Sequence, residues 1–407
     1  MGNLATIEKA MEKGEGVLRL APAWVPRSFC RPGKRIKLHA DDYYILGLER
    51  GGIDERWFSS TTRADNGPGT PADEGLSYVI ADKDGRERIT LLEAVELMGS
   101  EIVGPGIWEK YKGWPMFSKF FDNLGPLPHH IHHDEKHAAL VGERGKPEMY
   151  FYPSQCNNHM GEFGYTFFGL NPGTTKEQVK ECLENFTKGD NKLLDLSRCY
   201  TLALDTGFDV PPGVLHAPGS LCTYEPQVAS DVYAMYQSVL YGGHCVPSEL
   251  LWKNTPEDKI GDYDYLIDII DWETNTDPYF YENRFMAPVP ARPEDEMAGY
   301  REEWICYKCD LVSAKRLTVF PGQKIKIADA AAYGMIVVQG YGKIGVNILE
   351  CPTSIRYGQL TYDEYFVTDR AAREGVVIEN TSESEPLVIL KHFAENPDLY
   401  RWRNNSQ

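Results

Sequence analysis

The sequence predicts a mainly β fold arranged in two domains. Short apolar runs alternate with turn residues along most of the chain, which is typical of strands joined by short loops. Glycine (37 residues) and proline (26 residues) are spread widely instead of being confined to linkers. At 407 residues the chain is too long for one small domain and suits two. The clearest strand-like runs are Glu148–Tyr152, Tyr165–Leu170, Tyr200–Leu204, Ala314–Phe320, Met335–Gln339 and Leu387–Leu390.

Helices are predicted to interrupt the strands in three places. Thr90 precedes Glu93 by three residues, the spacing of a capping box, which predicts a helix over residues 90–98. The same pattern begins at Thr174, ahead of apolar residues that share one helix face. A Thr-Pro start predicts a third helix over residues 255–272.

The composition excludes several classes of partner. The formal net charge of -18 repels nucleic acid and anionic membrane surfaces. No run of 18 apolar residues occurs, so no membrane span is expected. Met1 to Arg19 lacks the apolar centre of a secretory signal. The nine cysteines are odd in number and scattered, which favours free thiols. We therefore expect a cytoplasmic protein.

Histidines are concentrated in one short segment. Five of the ten fall within residues 127–137. Alternate residues of a strand point to the same face, so His130 and His132 would project together while His129 and His133 point away. Two imidazoles on one face can chelate Zn, Fe, Mn, Co or Ni. The other histidines of this segment, including His137, are expected to be solvated or to support the ligands from behind.

Two later residues complete a predicted metal site. Glu148 begins the next strand-like run and supplies a carboxylate. His216 follows a rigid Pro-Pro-Gly turn that would return the chain to the same place. Three histidines and one glutamate with open positions form a catalytic arrangement. The sequence therefore predicts one divalent metal ion, zinc first with Mn, Fe, Co or Ni as alternatives, held by His130, His132, Glu148 and His216.

The domain boundary is predicted in a segment rich in Pro, Asn and Asp, residues 275–292. The N-terminal domain, residues 1–285, would carry the metal site and the inserted helices. The C-terminal domain, residues 286–407, is expected to be metal-free, because residues 304–393 contain only one histidine, His392.

Taken together, these motifs resemble those of the class I mannose-6-phosphate isomerases, which are cupins. The resemblance covers the first two thirds of the chain best and implies two cupin (jelly-roll) barrels with inserted and flanking helices. The segments that carry it are residues 117–122, 130–133, 146–148, 167–173 and 210–217. It also implies a small-molecule sugar or sugar phosphate as the partner, and it leaves a homodimer open.

The resemblance implies an aldose–ketose isomerisation that moves one proton between neighbouring carbons through a metal-stabilised enediolate. Lys119 and Lys146 lie on the strands expected to line the pocket and are the predicted catalytic residues. A lysine buried near a cation can have a lowered pKa and so transfer a proton, and either lysine could instead bind hydroxyl or phosphate. Glu225 and Asp231 are further candidates.

One departure from the family pattern keeps other functions open. The family carries an arginine shortly after a Ser-Asp pair, and here Ser230-Asp231 is followed by no such arginine. The leading prediction is an isomerase of mannose 6-phosphate and fructose 6-phosphate or a related sugar. The alternatives are an isomerase of an unphosphorylated hexose or pentose, a cupin dioxygenase and a non-catalytic sugar-binding protein.

Overall fold

The computed structural model of the protein describes residues 2–157, 163–292 and 298–397. Within these ranges the chain is mainly β, which confirms the predicted fold class, and its strands form four antiparallel sheets. Five of the six predicted strand runs coincide with strands, because alternate apolar residues can pack on the core from one face of a sheet. The run Tyr200–Leu204 overlaps only the end of a strand that spans Ser197–Thr201. None of the described helices is long and apolar enough to cross a bilayer.

Two sheets position the candidate site. The seven-stranded sheet has the order β15 (Phe285–Met286), β11 (Gly207–Val210), β8 (Glu148–Phe151), β13 (Thr223–Val228), β6 (Met116–Phe121), β3 (Gly52–Phe58) and β2 (Ala23–Arg27). The five-stranded sheet has the order β10 (Ser197–Thr201), β9 (Tyr165–Leu170), β12 (His216–Ala217), β7 (His130–Ile131) and β14 (Ala234–Met235). Aromatic residues of both sheets, such as Phe121, Tyr150, Phe168 and Phe208, share one buried cluster.

The other two sheets contain most of the C-terminal strands. The nine-stranded sheet has the order β16 (Val289–Pro290), β17 (Tyr300–Cys306), β18 (Val312–Val319), β25 (Leu387–Ala394), β20 (Tyr333–Gln339), β23 (Glu364–Val367), β1 (Val17–Ala21), β4 (Tyr78–Ile80) and β5 (Arg88–Thr90). The four-stranded sheet has the order β19 (Lys324–Ile327), β24 (Val376–Asn380), β21 (Tyr341–Ile344) and β22 (Asn347–Glu350). Because β1, β4 and β5 extend a sheet of later strands, the N-terminal segment contributes to both halves of the molecule. The boundary at residues 285 and 286 stays a prediction.

The helices lie between strands and at the chain start. They are α1 (Asn3–Gly14), α2 (Leu91–Val103), α3 (Pro105–Tyr111), α4 (Glu135–Ala139), α5 (Lys176–Glu184), α6 (Tyr263–Asp268), α7 (Trp272–Asn275), α8 (Phe280–Arg284) and α9 (Asp369–Glu374). The side chain of Thr90 caps α2 as predicted, by accepting from the backbone N–H of Glu93. The cap of α5 is Thr175, one residue later than predicted, because Thr175 forms the reciprocal capping box with Gln178.

The third predicted helix is wrong as a single element. Residues 255–272 instead contain a short 3-10 turn and α6, and α7 starts only at Trp272. Gly261 separates the turn from α6 with a φ of 89°, a left-handed conformation that a helix cannot continue through. Asp262 then caps α6 with its carboxylate.

A buried ion-pair network holds the nine-stranded sheet to the loop before β20. Lys391 Nζ lies 2.7 Å from Asp329 Oδ2, and Lys315 Nζ lies 2.9 Å from Asp329 Oδ1. Glu302 pairs with both lysines. All four side chains are at most 1% exposed. Such a network stabilises the fold only while it is complete, because each buried charge depends on its partners for the solvation it has lost.

Removing one member of this network should therefore be costly. We expect Lys391→Met to lower the free energy of unfolding by about 3–5 kcal/mol, because it leaves buried carboxylates with too few partners. Urea unfolding followed by circular dichroism measures the loss. Lys324→Met is the matched control, since Lys324 pairs with Glu379 while 65% exposed and should contribute about 0–1 kcal/mol. Equal losses in the two variants would contradict the account.

His392 links two sheets through one hydrogen bond. Its Nδ1 lies 2.9 Å from the hydroxyl of Tyr224, so β25 of the nine-stranded sheet is joined to β13 of the seven-stranded sheet. The ring is fully buried, and this burial lowers the pKa of His392 from 6.5 to about 3. At neutral pH it is therefore an uncharged imidazole.

The depressed pKa of His392 gives the protein an acid sensitivity. Below pH 6.5 the imidazole of His392 takes up a proton in the unfolded chain but not in the folded chain. The contribution of His392 to the free energy of unfolding is therefore fully present above pH 6.5 and is lost as the pH falls toward 3. Between pH 7 and pH 5, His392 should account for a loss of about 2 kcal/mol. Urea unfolding of wild type and His392→Gln at both pH values tests this. Identical losses in the two proteins would contradict it.

Candidate metal centre and pocket

Strand register brings three of the predicted ligands together. His130 on β7 and His216 on β12 are cross-strand partners in the five-stranded sheet. His132 follows His130 by two residues, so both rings point to the same side. The three rings are buried, and one nitrogen of each lies within 4.8 Å of the others. This group could hold a metal ion.

The backbone fixes the orientation of all three rings. Each Nδ1 donates to a carbonyl oxygen, and each Nε2 is left facing the centre of the group. The acceptors for His130, His132 and His216 are the carbonyls of Pro128, Val232 and Val214, at 2.7, 2.8 and 2.9 Å respectively. Because a carbonyl can only accept, the ring proton stays on Nδ1 and the Nε2 lone pair is available to a ligand.

Glu148, the fourth predicted ligand, lies on β8 of the seven-stranded sheet and contacts two of the three histidines. Its Oε2 lies 3.0 Å from His132 Nε2, and its Oε1 lies 3.1 Å from His216 Nε2. The hydroxyl of Tyr150 donates to Oε1 at 2.5 Å. Burial disfavours the charged carboxylate, but the ammonium of Lys146, 3.3 Å away, helps to hold the pKa of Glu148 well below its usual range. Glu148 is therefore a buried anion.

The chemistry of these four side chains fits a divalent cation. Burial lowers the pKa of His130 well below 6.5 and that of His132 to about 3, so both rings are neutral. The lone pair of His132 then faces a carboxylate oxygen, and the nearest cationic group is Lys146 Nζ, 3.3 Å from both atoms. Among the described residues, His216 Nε2 has no hydrogen-bond partner. Lys146 relieves part of the repulsion between these lone pairs and the carboxylate, and a divalent cation held by all four side chains would relieve the rest.

A row of charged side chains crosses one face of the seven-stranded sheet, with one residue on each of five neighbouring strands. We call these five residues the charged row. In sheet order they are Glu148 on β8, Glu225 on β13, Lys119 on β6, Glu55 on β3 and Arg27 on β2. All are buried, and the register sets Glu225 directly opposite Lys119.

The charges alternate along most of this row. Lys119 Nζ lies 3.3 Å from Glu225 Oε1 and 3.4 Å from Glu55 Oε1. Glu55 Oε2 in turn lies 3.2 Å from the Arg27 guanidinium. Asp231 extends the sequence by accepting two hydrogen bonds from Arg27, at 2.9 and 3.2 Å. Each cation of this series is therefore held between carboxylates.

Lys146 lies where the charged row meets the histidines. Its Nζ is 3.3 Å from both Glu148 Oε2 and His132 Nε2, and 3.9 Å from Glu225 Oε1. Lys146 is thus beside the candidate metal centre, and Lys119 is linked to it through Glu225. The expectation of a lowered lysine pKa is wrong for Lys119. Burial lowers its pKa, but Glu225 and Glu55 outweigh that effect and raise it.

Most of these groups line one pocket. The charged row, with Asp231, Lys146, His130 and His132, forms one part of its wall, and His216 is not among the described lining residues. The rest is aromatic or apolar and consists of Phe29, Phe121, Leu127, Tyr150, Pro218, Tyr233 and Met235. A concave site with convergent polar groups and an apolar remainder is the usual form of a small-molecule site.

Comparison with known proteins extends the description of the fold. No family model and no curated protein matches the sequence. A point mutant of phosphomannose isomerase from Salmonella typhimurium matches in structure, with 12% identity, a TM-score of 0.62 and coverage of 94% of this chain and 100% of the other. The mannose 6-phosphate isomerase from Bacillus subtilis has 15% identity and a TM-score of 0.57, with coverage of 93% of this chain and 99% of the other. A structure from Archaeoglobus fulgidus has 14% identity and a TM-score of 0.60, with coverage of 93% of this chain and 98% of the other.

The chain has the fold of the mannose-phosphate isomerases. The likeness spans nearly the full length of each chain, so it includes both the site sheets and the C-terminal sheets. Among the residues of this site, the sequence prediction did not single out Arg27 or Glu55. The signal for Glu55 was its place in a run of charged residues, 54–56, inside an otherwise strand-like segment. Arg27 gave no comparable signal, because its partner Asp231 is about 200 residues away.

The neighbouring histidines differ from expectation. His129, His133 and His137 are buried, so of the two expectations for them, the solvated one is wrong and a supporting place behind the ligands stays a prediction. His129 Nε2 bonds the hydroxyl of Ser197 at 2.6 Å, which places it behind the site. His137 Nδ1 bonds the carboxylate of Asp134 at 2.7 Å at the start of α4.

Removing a ligand should remove the metal. We expect the wild-type protein to bind one equivalent of Zn²⁺ in equilibrium dialysis, with elemental analysis as the readout. His132→Ala and Glu148→Ala should lose stoichiometric binding, because each removes a donor from a buried set whose remaining lone pairs are too few. The control is His244→Ala, which changes an exposed histidine. Any of the site variants that retains a full equivalent would exclude that side chain as a ligand.

Proposed function

We propose that this protein is a metal-dependent aldose–ketose isomerase that interconverts mannose 6-phosphate and fructose 6-phosphate or a related pair of sugars. The observation that carries the proposal is the meeting of three histidine nitrogens and a buried carboxylate in one group beside the pocket. The fold shared with mannose-phosphate isomerases supports the choice of reaction. The sequence motifs resemble the same family independently of the fold.

We propose His130, His132, His216 and Glu148 as the residues that hold the cation, with zinc as the first candidate. When bound, a divalent cation supplies Lewis acidity, which polarises the carbonyl and hydroxyl oxygens of a sugar and makes the intervening C–H more acidic. The buried position of the ligands keeps bulk water from competing for the same place. Three histidines and one glutamate leave coordination positions open for sugar oxygens.

The remaining polar groups of the pocket would handle the sugar and its proton. Isomerisation between neighbouring carbons needs a group that removes and returns one proton. Lys146 is beside the proposed ligands Glu148 and His132, and Lys119 is linked to it through Glu225. We propose that Lys146 transfers the proton and that Lys119, whose pKa is raised, binds a reacting hydroxyl as a charged donor.

Two variants test these roles. Lys146→Met should lower kcat by about 10²–10⁴-fold, the usual contribution of a positioned acid or base, and Lys119→Met should raise KM by removing a donor to the sugar, while the metal content of both stays at one equivalent. A coupled assay of aldose-to-ketose conversion on the zinc-loaded protein measures this. Lys136→Met is the matched control, since Lys136 is 72% exposed on α4.

The same assay, with oxygen consumption measured beside it, distinguishes an isomerase from a dioxygenase. Full activity in Lys146→Met would remove that lysine from the mechanism. An iron-loaded protein that consumes O2 and isomerises no sugar would contradict the proposed function as a whole.

A further inference from the structure

The phenol of Tyr150 is hydrogen-bonded to a proposed metal ligand. Its hydroxyl lies 2.5 Å from Glu148 Oε1. The phenol keeps its proton at neutral pH, because an ordinary tyrosine has a pKa of about 10 and burial raises the pKa of Tyr150 further. The hydroxyl therefore donates and the carboxylate oxygen accepts. A short hydrogen bond to an ionised oxygen is of the strong, charge-assisted kind.

This hydrogen bond makes the two oxygens of Glu148 unequal. Oε1 accepts from Tyr150, while Oε2 is buried and has no hydrogen-bond partner among the described residues. The ammonium of Lys146 lies 3.3 Å from Oε2, and His132 Nε2 lies 3.0 Å from it. A cation that approached Oε1 would meet the positive end of the Tyr150 O–H dipole. Oε2 is therefore the more favourable oxygen for a metal ion.

Strand geometry and packing hold Tyr150 in this place. It follows Glu148 by two residues on β8, so both side chains project from the same face of the sheet. Tyr150 is 1% exposed. Its ring packs edge-on against Phe121 of the seven-stranded sheet and His216 of the five-stranded sheet, with centroid distances of 5.4 and 6.2 Å. The hydroxyl is thus kept on Oε1 by neighbours from both sheets.

The number of carboxylate oxygens on a metal ion affects which metal is preferred. A carboxylate binds through one oxygen or through both. Binding through one oxygen suits the low coordination number that zinc adopts with histidine ligands. Binding through both oxygens favours Mn²⁺, which prefers a larger number of oxygen ligands. A hydrogen bond that keeps one oxygen occupied therefore selects between the two metals.

We propose that Tyr150 is a positioning residue that occupies Oε1 of Glu148, so that Glu148 binds the cation through Oε2 alone. This arrangement favours zinc over manganese and leaves a coordination position open for a sugar oxygen. The inference rests on the metal site of the proposed function and adds the residue that sets its coordination number.

The variant Tyr150→Phe removes the hydroxyl and keeps the ring. We expect its Kd for Zn²⁺, measured by competition with a chromophoric chelator, to rise about 10–100-fold, the usual effect of removing a hydrogen-bonded partner from a metal ligand. Its Kd for Mn²⁺ should change less, because Oε1 becomes available as a second oxygen ligand. The ratio of the Mn²⁺ Kd to the Zn²⁺ Kd should therefore fall by about 10-fold or more. Equal changes in the two Kd values would overturn the proposal, since a purely structural loss weakens both metals alike.

Tyr152→Phe is the matched control, because it makes the same change two residues away. Tyr152 is 2% exposed and packs in the same aromatic cluster as Tyr150. Its hydroxyl has no hydrogen-bond partner in the described part of the chain, and Tyr152 is outside the described pocket lining. Both Kd values should stay at the wild-type level. A loss of zinc affinity as large as that of Tyr150→Phe would assign the effect to packing and overturn the proposal.

Cobalt substitution reports the coordination number directly. The visible bands of Co²⁺ are strong in four-coordinate sites and weaken as the coordination number rises. We expect weaker bands in cobalt-loaded Tyr150→Phe than in the wild type and Tyr152→Phe, because Glu148 can then bind through both oxygens. Identical spectra in the three proteins would overturn the proposal.

These measurements use no sugar, so this proposal and the isomerase proposal can fail separately. A wild-type protein that binds zinc and isomerises no sugar contradicts the isomerase, while the Kd values still decide the role of Tyr150. A wild-type protein that binds no zinc contradicts both. Should Tyr150→Phe not fold, a crystal structure of the zinc-loaded wild type decides. Zinc on Oε2 of Glu148 with Tyr150 on Oε1 supports the proposal, and zinc on Oε1 overturns it.

Discussion

The repulsion among buried lone pairs at the centre of the pocket is the constraint on which the site depends. The backbone assigns the proton of each of the three rings to Nδ1 and so turns the Nε2 atoms of His130, His132 and His216 toward one another. Glu148 adds a negative charge from a different sheet. A cation relieves this repulsion and would at the same time hold the five-stranded and seven-stranded sheets together. Because the ligands come from both sheets, metal binding is expected to stabilise the packing of one sheet against the other.

The charged row differs in location from the second buried network of ion pairs. Lys315, Lys391, Glu302 and Asp329 also alternate in sign at full burial, but they lie outside the described lining of the pocket. Their role is accounted for by the packing of the nine-stranded sheet. The charged row is equally buried, but it contacts the candidate metal centre and lines the pocket. Burying these charges costs free energy, and their position beside a ligand site indicates a functional role.

Local sequence signals predicted much of the site, because its parts follow local rules. The two-residue spacing of His130 and His132 sets their shared face, and Glu148 and His216 each begin a strand. What could not be predicted depends on register between distant strands. Arg27 reaches Asp231 only because β2 and the end of β13 approach the same pocket. Similarly, the pairing of β1 with β23 joins residues about 350 apart, and no periodicity in either strand encodes the partner.

The central claim is most directly tested by a crystal structure of the zinc-loaded protein with anomalous data collected at the zinc edge. The account predicts one anomalous peak, with His130, His132 and His216 Nε2 and a Glu148 oxygen each at about 2.0–2.2 Å. A structure without a peak at this position, or with the ion held by other side chains while these four face one another unchanged, would contradict it.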